Sequence, residues 1–172
     1  MSHAIPVFFL PVEGLKVGAL QTAEGAQREI ADAFRAREAS GLRQATSTNW
    51  WHCFLTVELC KHWGIEGLEF LLTELRILAP AEVKAASEAL AHLVARLKTD
   101  RLPLPDSALG PELAAMRDVP LADMIDSAVP TDTVHEGGGD LHSFIQFLTA
   151  LRDVVLDARE TDRHLLFYAP QP

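Results

Sequence analysis

Covalent staples are scarce in this chain, which holds only two cysteines, Cys53 and Cys60. They lie seven residues apart in an apolar stretch that reads as helix. Seven residues of helix rise about 10.5 Å, beyond the reach of a disulfide. Both are expected to be free thiols, as in a reducing compartment. Positive charge is also short. Lys and Arg number 15 against 24 Asp and Glu, for a net charge of −9. The densest basic stretch, Arg28, Arg35, Arg37 and Arg43, is interleaved with Glu29, Asp32 and Glu38. That pattern reads as a solvated helix face and excludes a phosphate track, so no nucleic acid is expected as a partner. An acidic surface also disfavours anionic membranes. Long hydrophobic runs are missing. The stretch Ile5 to Val12 is too short to span a bilayer and contains Pro6 and Pro11. No basic-then-apolar leader opens the chain, so the expected location is cytoplasmic. Catalytic signatures are absent too. There is no Gly-x-Ser-x-Gly elbow, no phosphate-binding Walker loop and no Gly-x-Gly-x-x-Gly after a strand.

What is present suits one globular domain. The 172 residues are 48% apolar and 23% charged, enough to bury a core without metal or disulfide. Ala4 to Leu10 reads as a short buried strand closed by Pro11 and Gly14, with Pro6 marking an edge or a strand start. Thr22 reads as the N-cap of a first helix that runs to about Ala39, with a narrow stripe of Ala23, Ala26, Ile30, Ala33 and Phe34. Trp50 to Trp63 is apolar nearly all round, the mark of a buried helix, and Gly64 breaks it. Ile65 to Leu75 continues with leucines on one face. Arg76 to Leu78 reads as a strand or a fraying helix end. Pro80 starts the clearest helix, carried by Val83, Ala86, Leu90, Leu93, Val94 and Leu97. Residues 99–110 read as loop. Short helices follow at 112–117 and 121–127. A glycine-rich loop covers 128–139. Asp140 reads as the cap of a last helix, and Leu165 to Tyr168 as a final strand. The expectation is a helix-dominated α+β domain whose small sheet includes the N- and C-terminal strands, since chain termini tend to lie close together. The helices 80–98 and 140–160 are expected to pack against 50–63.

Four places resemble the YfbM-like family of small bacterial proteins of unknown function. Trp51-His52 and Leu68-Glu69-Phe70-Leu71-Leu72 are similar to that family's Trp-His and His-Phe-Leu-Leu region. Ile77-Leu78-Ala79-Pro80-Ala81-Glu82-Val83 is similar to its strand and Ser-Pro-Glu-Glu-Val helix start. Leu148 to Asp157, followed by Leu165-Leu166-Phe167, is similar to its last helix and closing strand. The N-terminal strand and first helix lie outside the resemblance. It implies an α+β fold and no known catalytic residues.

Three groups of residues are candidates for function. His52, Cys53, Cys60 and His62 form the densest set of soft ligands, but they lack the short chelate that zinc favours and read as core thiols with helix-end histidines. His135, Glu136 and His142 flank a triple glycine. Their spacing, His-Glu-x5-His, does not put both histidines on one helical turn. They are the ligand or metal candidates, and they support an alternative reading as an enzyme or small-molecule-binding domain. The three tryptophans, Trp50, Trp51 and Trp63, fall within 14 residues. Clustered tryptophan marks either a core helix or an interface anchor. Glu58, on the same apolar helix, reads as an ion-paired or exposed edge.

No cofactor is expected. The favoured expectation is a non-catalytic protein-binding module, of the kind in which an immunity or antitoxin protein neutralises a basic toxin by charge complementarity. The partner-binding residues are expected to be Trp63, Trp50, Glu66, Glu69, Glu136 and Asp140. A structural homo-oligomer, in the simplest case a homodimer, is the third reading.

Overall fold

A computed structural model describes residues 5–36, 43–47, 51–128, 133–134 and 141–170. Its frame is a five-stranded sheet built from β1 (Ile5–Val12), β2 (Arg43–Ser47), β3 (Leu75–Leu78), β4 (Thr133–Val134) and β5 (His164–Tyr168). The spatial order is β3-β5-β1-β2-β4. All neighbours are antiparallel except β2 and β4, which run parallel. The two terminal strands pair directly, with Phe9 opposite Phe167 and Leu10 opposite Leu166. The chain is thus the helix-dominated α+β fold expected, with both terminal strands in one sheet.

Of the two positions that Pro6 allowed, the strand start holds, since it is the second residue of β1, and the edge does not, because β1 is the middle strand. The stagger of its neighbours resolves the conflict. β2 pairs with residues 5–9 of β1 and β5 with residues 8–12. Pro6 and Pro11 are each flanked by a strand on one side only, so the missing N–H can lie on the open side.

Side chains alternate across the sheet. Leu10, Val12, Leu166 and Tyr168 point to the face covered by α1 (Ala23–Arg35), where they meet Leu20, Ala26, Ile30 and Ala33. Thr22 caps α1 as expected, its Oγ1 accepting from the Gly25 N–H at 3.1 Å. The helix ends at Arg35 rather than near Ala39. Arg43 lies in β2, so it shares no helix face with Arg28 and Arg35. A hydrogen bond of 2.8 Å from Gln27 Nε2 to the Tyr168 hydroxyl ties α1 to β5.

The opposite face, with Val7, Phe9, Leu165 and Phe167, carries the main core. Its helices are α2 (Trp51–Trp63), α3 (Pro80–Thr99) and α6 (Leu141–Glu160). Helices α3 and α6 pack together, and α2 meets α6 through stacked and edge-on ring pairs. His52 lies 5.4 Å from Phe147 and Trp51 lies 6.0 Å from Phe144, centroid to centroid. Short helices α4 (Pro111–Ala115) and α5 (Ala122–Ser127) close the bundle near where they were expected.

Three further elements differ from expectation, the first being β2, which the sequence did not mark as a strand. Residues 65–75 do not form a second helix. Gly67, at φ 122°, interrupts the backbone, and only a 3-10 turn at Glu69–Leu72 remains before β3 recruits Leu75 to the sheet. Thr133–Val134, expected as loop, pairs with Gln44 and Ala45. Among the described residues, no helix is long and apolar enough to cross a membrane.

Candidate functional site

The tryptophans that cluster in sequence separate in space. Trp51 opens α2 and Trp63 closes it, so the helix rise puts them roughly 18 Å apart. Trp51 packs edge-on against Phe144 and His52; like Trp63 it is half-buried against the main core. Trp50 lies outside the described residues.

Trp63 occupies the other end for a local reason. Gly64 takes a left-handed φ of 66°. The Ile65 N–H then donates to the Cys60 carbonyl at 2.8 Å and the Gly64 N–H to the Lys61 carbonyl at 3.4 Å. This is the paired-bond glycine stop of a helix, with an apolar residue just beyond it turning inward; Ile65 is buried. Trp63 is the last residue before the stop and remains half-buried at the rim.

From this rim the chain runs back along α3. The Arg96 guanidinium lies 5.4 Å from the Trp63 ring centroid, within cation–π range. Gly67 meets α3 earlier along its length, where an added Cβ would lie 3.1 Å from the Ala85 carbonyl oxygen and 3.3 Å from Ala89 Cβ. Trp63, Glu66 and Glu69 therefore share one short segment held on one helix. Glu66 and Glu69 are exposed. Both carboxylate oxygens of Glu69 accept from the Gly67 N–H, at 3.2 and 3.0 Å, which fixes the carboxylate close to the backbone.

Two clefts flank this segment. The larger, about 640 Å³, is lined by Trp63, Asp100, Arg101, Leu102, Pro103, Leu104, Pro105 and Arg117. Its two lining cations, Arg101 and Arg117, and the neighbouring Arg96 already hold acidic partners. Arg96 pairs with Asp100 at 3.1 Å, Arg101 with Asp118 at 2.9 Å and Arg117 with Asp106 at 2.5 Å. The smaller, about 360 Å³, lies between Glu69, Phe70, Thr73, Arg76 and Glu82. There Arg76 donates to Glu82 at 2.6 Å, and Glu82 also accepts from the Ala79 N–H at the start of α3. The Arg76 hydrogen bond, with help from Ala79, holds the Glu82 carboxyl below its usual range.

The soft-ligand set does not assemble. His52, Cys53 and Cys60 are buried, whereas His62 is exposed. Burial pushes both thiols up to about 12, with the Glu69 charge adding to the shift at Cys60. Thiols of that kind are packing groups rather than nucleophiles. Glu58 pairs with Lys61 at 3.1 Å, the bland reading of that carboxylate. His142 is exposed on α6, hydrogen-bonded to Gln146 at 3.1 Å. His135, Glu136 and Asp140 lie outside the described residues. At the start of α6 a remote carboxylate, Glu112, accepts from the Leu141 N–H at 3.1 Å. Among the described residues, no group of three His, Cys, Asp or Glu side chains is arranged to hold a metal ion. Sequence reasoning missed the loop 100–105 and Arg96 as neighbours of Trp63. No local signal could have supplied them, since they meet Trp63 only through helix packing. No family model, curated protein or solved structure matches the chain.

Proposed function

We propose that this protein is a non-catalytic binding module that engages another protein through the Trp63 face. The specific form we favour is an immunity- or antitoxin-type protein that neutralises a basic partner. The observation that carries this reading is the position of Trp63. It sits half-buried at a helix stop, beside a cleft of about 640 Å³, with exposed Glu66 and Glu69 on the same segment. A rigid aromatic ringed by polar groups is the usual anchor of a protein interface. Because the cleft's guanidiniums are already paired with carboxylates, it offers little to a small anionic ligand. The net charge of −9 would draw in a basic partner and speed encounter.

The test uses three tagged baits in native extract: the wild-type chain, Trp63→Ala, and Glu66→Gln with Glu69→Gln. A partner recovered by the wild type should dissociate about 30-fold faster from Trp63→Ala, corresponding to an anchor of about 2 kcal/mol. The glutamine variant should instead associate more slowly, with a flatter salt dependence. Recovery of the chain alone would replace this reading with the homo-oligomer. A partner that binds Trp63→Ala and wild type equally would move the interface elsewhere.

A further inference from the structure

We draw no further inference here: the strongest candidate, the apolar sheet face around Phe8, Leu75 and Ile77 that α1 leaves partly open, carries none because nothing in the structure shows what covers it.

Discussion

Raising the pH should expose how deeply α2 is buried, through its two thiols. Cys53 and Cys60 both lie in the core, and burial lifts their pKa from 9.0 to about 12. At pH 8 an ordinary thiol is about 10% thiolate and one at 12 about 0.01%, so the reactive form falls roughly 1,000-fold before any steric shielding is counted. A chromogenic disulfide reagent should therefore label the native protein very slowly. In denaturant without reductant it should titrate two thiols at once. Stability carries the same signature. The unfolded thiols ionise near 9 and the folded ones do not, so stability is full below 9 and falls as pH rises towards 12. The slope is about 1.4 kcal/mol per pH unit for each thiol. The control is the same urea series on Cys53→Ala with Cys60→Ala, in which this component of the slope vanishes. Fast labelling of the native chain at pH 8, or an alkaline slope unchanged in the double variant, would refute the burial argument. Fewer than two thiols in denaturant would refute the free-thiol assignment.

Gly25 should resist any side chain, since an added Cβ would lie 1.9 Å from the Ala19 carbonyl oxygen. Gly25→Ala is expected to lower stability by about 1–3 kcal/mol, and an unchanged urea midpoint would show that the turn before α1 relaxes freely. Glu82→Gln should weaken the start of α3 by about 0.5–1 kcal/mol at neutral pH, a figure kept small because the Arg76 pair is substantially exposed. Glu82 has a depressed pKa, so its contribution is present above the usual carboxylate range and is lost as pH falls through the lowered value. The gap between wild type and Glu82→Gln should close in acid; a gap that stays constant with pH would contradict the linkage. Trp51→Ala should cost about 3 kcal/mol, the low end for an aromatic truncation, because the ring is half-buried against Phe144. Trp63→Ala, which loses the Arg96 contact rather than a buried ring partner, should cost less, and equal losses in thermal melts would refute that ranking.

The parts of this fold legible in the sequence are those set by near neighbours. Thr22 caps α1 through a bond to Gly25, three residues on. Gly64 stops α2, its own N–H bonding to Lys61 and that of Ile65 to Cys60. Pro80 and Glu82 start α3 through Ala79. Each is a matter of one helical turn, so residue types within four or five positions decide it. The continuous apolar run closed by Pro11 and Gly14, and the run Leu165 to Tyr168, marked the two end strands as sheet. Tertiary structure decided whatever depended on a distant partner. Arg43–Ser47 and Thr133–Val134 become strands only by pairing across the sheet, because strand formation depends on neighbours that sequence spacing does not reveal. Residues 65–75 keep a helical spacing of leucines, yet β5 takes Leu75–Leu78 as a strand. Pro6 and Pro11 sit in a central strand because the stagger of β2 and β5 leaves each an open side. The separation of Trp51 from Trp63 follows from one helix being longer than the reach of a contact. One end of α2 meets Phe144 in the core, and the other meets Arg96 at the rim.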